Sequence, residues 1–352
     1  MSRLITDFDY RLPRSLIAQR PSDKRDASRL LVYKRGDGRI EHRTFRDIVD
    51  FLRPGDVVAI NETMVSRTRL YGKKVSGGKA WITLVAPVIH QEKKRHEDKE
   101  TCFYDVFVRC KNPKPGTKLL FKHGLEAVVE KGSGDGRFLL RFNVNRERLE
   151  GYVRTYGDYT LPGYIRNFDY DRSRYQTIFA NDEKQGSIAA PTAGLHFSPS
   201  LVTRLTRKGV LFARVCLHVG IGTFKEVGVD DYTKHEMHKE FLEVSDEAAD
   251  IINKRDGRLI VVGTTTLRAL ETACDGDGRV NPYRGYTDLF VYPGYKFKLR
   301  FDALVTNFHL PRSTLLLLVA TVVGDEWKRI YQTAIEERYR FYSFGDAMLI
   351  IL

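Results

Sequence analysis

The feature that most constrains this chain is a change of rhythm partway along it. From about residue 63 to 154 it runs in short segments rich in β-formers (80–88, 104–110, 118–121, 125–130 and 138–142). Turn chemistry such as Lys114-Pro-Gly116 and Gly132-Ser-Gly-Asp-Gly136 breaks them apart. Short runs punctuated by Gly and Pro specify antiparallel strands, here a small barrel or sandwich. The mixed-charge run 90–100 is expected to be a solvated loop between two of them. Outside this block the pattern differs. A buried strand at 56–60 precedes it, and beyond residue 160 strands and helices alternate. Helix 199–208 leads to strand 213–219, and helix 246–255 to strand 259–263. Helix 265–273 leads to strands near 288–292 and 303–306, and two helices follow from Thr314 and Asp325. Such alternation predicts an α/β fold with a mixed, mostly parallel sheet. We therefore expect an α/β catalytic domain of residues 1–62 and 155–352 into which a β-barrel domain, 63–154, is inserted.

A chain of 352 residues has room for two such domains. Its 58 basic against 45 acidic side chains leave a formal charge of +13, which favours a polyanionic partner, nucleic acid first. Cys102, Cys110, Cys216 and Cys274 are scattered with no CxxC pair, as suits reduced thiols in a cytoplasm. Arg3, Asp7, Asp9 and Arg11 interrupt any secretory segment. The longest apolar run, 315–323, is too short for a bilayer, which needs about 20 residues. A cytoplasmic monomer with no membrane attachment is expected.

Function is expected at the carboxyl ends of the strands, where α/β sheets bind ligands. The stretch Ser187-Ile-Ala-Ala-Pro-Thr-Ala-Gly-Leu-His-Phe197 is uncharged, built of small residues, and ends on His196 just before a helix capped by Ser198 with Pro199 at its first position. Three other loops share this design: His218-Val-Gly-Ile-Gly-Thr-Phe224, Thr264-Thr-Thr266 with Arg268, and Asn307-Phe-His-Leu-Pro311. Pro293-Gly294 closes a further one. Three histidines, several hydroxyls, an amide and an arginine suit proton transfer and recognition of a polar heterocycle or sugar.

Sharper motifs fail. Gly220-x-Gly222 lacks the third glycine of a dinucleotide loop, with Lys225 in its place. His235-Glu-Met-His238 is one residue short of the metalloprotease spacing, and no metal is expected.

Taken in order, Pro191-Thr-Ala-Gly-Leu-His-Phe197, Leu217-His-Val-Gly-x-Gly-Thr-Phe224, His235-x-Met-His238, Val262-Gly-Thr-Thr265 with Arg268, Tyr292-Pro-Gly294, Thr306-Asn-Phe-His-Leu-Pro311 and Tyr339-Arg-Phe341 with Gly345-Asp-Ala-Met348 resemble the S-adenosylmethionine:tRNA ribosyltransferase-isomerase (QueA) family of queuosine biosynthesis. Asp7-Phe8, Leu12-Pro13, Ile17-Ala18 and Ser28-Arg29-Leu30-Leu31 resemble its opening, so the likeness spans nearly the whole chain. The resemblance implies a tRNA-modifying transferase with S-adenosylmethionine as co-substrate. Its ribosyl unit passes to 7-aminomethyl-7-deazaguanine at the wobble position and rearranges to epoxyqueuosine, and adenine and methionine leave.

On that resemblance His196, His218 and His309 are the expected proton-transfer residues, the base and acid roles among them left open. Thr192, Gly194, Gly220, Gly222, Thr223, Phe224, Thr265, Arg268, Tyr292, Thr306 and Asn307 are expected to bind the donor, with Phe224 or Tyr292 facing the sulfonium. Arg67, Arg69, Lys73 and Lys74 form one basic strip for tRNA, and Lys296, Lys298 and Arg300 another. Departures cluster in one region. Asn61-Glu-Thr-Met-Val65 stands where the family reads Asn-Asn-Thr-Arg-Val, Gly77-Gly-Lys-Ala-Trp81 where it reads Gly-Gly-Lys-Ile-Glu, and Leu161-Pro-Gly-Tyr-Ile165 where it reads Leu-Pro-Pro-Tyr-Ile. Glu62, Met64 and Trp81 keep two alternatives open: a paralogue using or cleaving S-adenosylmethionine with another acceptor, and a non-catalytic tRNA-binding protein.

Overall fold

The computed structural model describes residues 3–87, 100–132, 136–166, 170–220 and 226–352. Most of the 90–100 loop lies outside the described residues. Two compact units emerge, one of Met1–Val65 with Pro162–Leu352, the other of Ser66–Leu161. The joins fall slightly later than 62/63 and 154/155, and strand pairing explains both. Met64–Val65 runs parallel to Gln185–Ser187 inside the larger unit, whereas Asp158–Tyr159 pairs antiparallel with Arg67–Lys74 inside the smaller.

The smaller unit is a closed antiparallel barrel of six strands. Arg67–Lys74, Lys79–Pro87, Cys102–Arg109, Arg137–Phe142, Glu126–Gly132 and Lys118–Phe121 pair in that order, and the last closes on the first. Closure removes the edges of these six strands, and the short Asp158–Tyr159 pairs alongside Arg67–Lys74. Leu70, Ile82, Val106, Leu119, Val129 and Leu140 alternate inward to form its core. A helix that the β-former count did not anticipate, Arg146–Tyr156, places Leu149 and Val153 on that core from one face, four residues apart. Asn145 caps it by accepting from Arg148 N.

In the larger unit a nine-stranded mixed sheet runs Tyr283–Thr287, Glu240–Val244, Leu211–Leu217, Val57–Asn61, Leu259–Val262, Ala303–Asn307, Ala347–Ile351, Arg29–Lys34, Arg39–Thr44. Leu211–Leu217, Val57–Asn61, Leu259–Val262 and Ala303–Asn307 are mutually parallel. Antiparallel strands flank them on both sides. Alternate residues of these strands enter two buried clusters, Val57, Ala59, Val215 and Leu304 on one face and Val58, Ile60, Ile260 and Val305 on the other. That explains why they read as continuous apolar runs. Helices Asp246–Asn253, Thr264–Ala273, Thr314–Val323 and Glu326–Glu336 supply the first cluster, and Pro199–Arg207 the second. No helix among the described residues is long and apolar enough to cross a membrane.

One expected strand is corrected. Residues 288–292 are not a strand; the edge strand is Tyr283–Thr287, paired to Glu240–Val244. The apolar run beyond it peels off because side chains take its backbone groups. Leu289 N donates to Thr287 Oγ1 and Leu289 O accepts from Arg268 Nε.

Candidate active site

The four parallel strands end on Asn61, Leu217, Val262 and Asn307, so their following loops share one edge of the sheet. A cleft opens there. Thr192, Val219, Gly263, Thr264, Thr265, Thr306, Asn307 and His309 line it together with Tyr164 and Tyr342. Gly263 enters the helix Thr264–Ala273 at φ +92°, a backbone state that a Cβ would strain. That turn brings Gly263, Thr264 and Thr265 into the cleft wall.

Asn307 is the best-defined group in the wall. Its Nδ2 donates to Tyr342 O at 3.2 Å and to His196 Nε2 at 3.1 Å. The carbonyl partner fixes which end of the amide is nitrogen, so Oδ1 is the end left over, buried and without a partner among the described residues. Buried acceptors without partners are rare. His196 stands behind the amide. Because Nε2 accepts from Asn307, Nδ1 carries the proton and donates to Ser28 Oγ at 2.7 Å. Phe45 stacks on the ring at 5.0 Å. Both ring nitrogens are thus engaged, and His196 does not line the cleft. Burial foremost lowers its pKa to about 4, with Asp346 opposing the shift.

His309 does line the cleft. Its Nε2 is hydrogen-bonded with Thr306 Oγ1 at 2.8 Å, its N–H donates to Tyr331 OH, and its carbonyl accepts from Tyr10 OH. Nδ1 has no partner among the described residues. Burial alone lowers its pKa to about 3. Neutral imidazoles here put no cation beside a bound ligand.

His218 lies apart from the cleft wall. Its Nδ1 is hydrogen-bonded with Thr63 Oγ1 at 2.8 Å, and burial lowers its pKa. Gly186, at φ +150°, backs onto the ring so closely that a Cβ would stand 2.7 Å from Nε2. Gly220 N donates to Glu240 Oε1 at 2.7 Å, and Glu240 Oε2 accepts from Arg268 Nη1 at 2.5 Å. Arg268 Nε donates to Leu289 O, while Nη2 is buried without a partner among the described residues. Gly222, Thr223 and Phe224 lie outside the described residues.

The remaining expected residues divide. Thr192, Thr265, Thr306 and Asn307 meet in the cleft. Gly194 does not line it and packs 3.0 Å, by its would-be Cβ, from Thr177. Tyr292 packs on Tyr232 and Phe290 beside a separate surface pocket. The aromatics of the wall are instead Tyr164, Phe308 and Tyr342. Tyr342 holds φ +74°, uncommon for so bulky a residue and a mark of local constraint. Tyr164 OH is hydrogen-bonded with Ser343 Oγ at 2.6 Å, and burial pushes that phenol up to about 12. Sequence reasoning missed both tyrosines, although Tyr164 sits in one quoted motif and Tyr342 adjoins another.

On the barrel, Arg67, Arg69 and Lys73 alternate onto one side of their strand, and Lys74 falls on the other with Nζ on Lys111 O. Arg67 Nη1 donates to Arg154 O. Of the second basic strip, Lys298 is tied by Nζ to Cys274 O.

Fold and cleft together define an α/β protein with an inserted barrel, whose cleft is lined by threonine hydroxyls, the Asn307 amide and the His309 imidazole. Residues 5–350 match the family described as Queuosine biosynthesis protein, and the chain belongs to that family. S-adenosylmethionine:tRNA ribosyltransferase-isomerase from Symbiobacterium thermophilum is 47% identical over 353 residues, covering 99% of each chain. The protein of that name from Thermotoga petrophila is 46% identical over 352 residues, again covering 99% of each. Among solved structures, S-adenosylmethionine tRNA ribosyltransferase from Thermotoga maritima superposes with a TM-score of 0.54 at 39% identity, covering 98% of this chain and 100% of that one.

Proposed function

We propose that the cleft at the carboxyl edge of the sheet holds S-adenosylmethionine while its ribosyl unit is transferred to a deazaguanine in tRNA and isomerised, as in queuosine biosynthesis. The unpartnered Asn307 Oδ1, set among threonine hydroxyls from separate loops, carries this reading. Thr192, Thr265, Thr306 and Asn307 bind ribose hydroxyls or the adenine edge. Tyr164 and Tyr342 supply the aromatic surface next to the sulfonium, an attraction worth about 0.5–2 kcal/mol.

Transfer needs a base for the acidified hydrogen beside the sulfonium and an acid for departing adenine. His309, neutral and with Nδ1 free of partners among the described residues, takes the proton; its position in the cleft lining supports this role. His196 acts through Asn307 as a positioning residue, and His218 serves the neighbouring loop. Arg67, Arg69 and Lys73 meet tRNA phosphate from the barrel.

The test is incubation with S-adenosylmethionine and tRNA carrying 7-aminomethyl-7-deazaguanine, followed by adenine release and mass analysis of the modified nucleoside. Adenine and epoxyqueuosine are expected. Adenine release that ignores the deazaguanine points to another acceptor, and donor binding without any release refutes the reading.

A further inference from the structure

On the larger unit lies a second, open groove whose lining is dominated by cations: Arg20, Lys24, Arg29, Arg338 and Arg340, against the carboxylates of Asp23 and Asp346. Asp346 is consumed within the protein. It accepts from Arg29 N and Arg340 N and pairs with the Arg340 guanidinium at 3.1 Å. Arg29 lies over the Tyr339 ring at 3.8 Å. Arg20, Lys24 and Arg338 are exposed and have no side-chain hydrogen bond or ion pair among the described residues. Arg20, Lys24 and Arg338 outnumber the one carboxylate left over, Asp23, so this concave surface carries the net positive charge that attracts an anion.

The groove also adjoins the cleft. One tight turn serves both, since Arg340 and Asp346 line the groove while Tyr342 and Ser343, between them, line the cleft. On the other rim, Ser28, which holds His196, directly precedes Arg29. The groove and the cleft thus share the turn 340–346.

We propose that this groove binds the phosphodiester backbone of the tRNA next to the nucleotide being modified. It is a contact separate from the barrel strip, and the proposal rests on the reading above that the acceptor is in tRNA. Arg29 and Arg340 hold the rim in shape; Arg20, Lys24 and Arg338 meet phosphate.

The test compares wild type with the triple variant Arg20→Gln/Lys24→Gln/Arg338→Gln in tRNA binding across a salt series, with S-adenosylmethionine binding as the control for folding. Expected are unchanged donor affinity and roughly tenfold or more weaker tRNA binding. The log–log salt slope should be shallower by about 0.7–0.9 for each phosphate that the variant no longer neutralises. Unchanged tRNA affinity and slope overturn the proposal, as does competition by millimolar inorganic phosphate with no effect of the variant on tRNA, which marks a small-anion site. Wild-type adenine release is measured alongside: its absence counts against the catalytic reading, while the binding comparison still decides the groove.

Discussion

Asn307 and His196 exchange the importance that their residue types suggest. A histidine at the end of a small-residue loop invites a catalytic role, yet both its nitrogens are satisfied inside the protein. The amide beside it keeps an orphaned acceptor. No spacing rule reports which ring atoms a neighbour saturates, so the sequence pointed to residues that meet at one cleft, Thr192, Thr265, Thr306, Asn307 and His309, without ranking them. Asn307→Ala is expected to lower kcat/KM by about 10²-fold, comparable to loss of one fixed hydrogen-bonding group in a preorganised site. His196→Gln should retain most of the activity, and His309→Gln should lose about 10²-fold or more. Steady-state adenine release reads all three; a His196→Gln loss as deep as that of His309→Gln would make His196 the proton carrier. Acidity gives a second check. The folded protein holds His196 at about 4 and His309 at about 3, below the unfolded value of about 6.5. Between those values the unfolded chain binds protons that the folded one refuses, so stability is full above about pH 6.5 and is lost as pH falls through 4 and then 3. Each tenfold difference in proton affinity between the two states is worth about 1.4 kcal/mol. Urea midpoints should therefore fall from pH 7 to 5, less steeply in His309→Asn. Parallel declines would contradict it.

The elements were legible where periodicity was long and caps were strong, as in Pro199–Arg207, whose Ser198 accepts from Leu201 N. They were illegible where tertiary contacts decide. Residues 288–292 have a strand's composition, but the Arg268 guanidinium and the Thr287 hydroxyl claim their backbone. Arg146–Tyr156 has a helix's cap inside a block of β-formers. The same kind of side-chain tie binds strand Glu240–Val244 to helix Thr264–Ala273 and to Gly220, through one carboxylate. Both partners are about 6% exposed, so the pair is worth more broken than its formation suggests. Glu240→Ala should cost about 3–5 kcal/mol by leaving the guanidinium buried and unpaired, whereas Glu240→Leu with Arg268→Met should cost much less. Chemical denaturation of the two variants decides. Equal losses would mean that the carboxylate works through packing alone.

The change of rhythm in the sequence corresponds to a division of labour. Every residue lining the cleft, from Tyr164 to Ser343, belongs to the unit of Met1–Val65 with Pro162–Leu352. The barrel has its own buried cluster, including Leu70, Val106, Leu140 and Phe142. The chain enters it at Arg67–Lys74 and leaves by Asp158–Tyr159, which are paired neighbours, Tyr159 opposite Arg67. Entry and exit lie side by side, so a short Gly/Ser bridge can replace Ser66–Leu161 without stretching the remainder. Domain insertions are tolerated at such points for the same reason. The excised protein should bind S-adenosylmethionine with an affinity within a few-fold of the intact chain, because no cleft residue is removed. Its tRNA binding should weaken and its salt slope become shallower, as Arg67, Arg69 and Lys73 are gone, yet some binding should survive on the groove of Arg20, Lys24 and Arg338. Calorimetry with the donor and a salt series with tRNA measure the two effects independently. Loss of donor binding in a cooperatively folded excision protein would show that the barrel completes the small-molecule site, and the assignment of that site to one unit would fall.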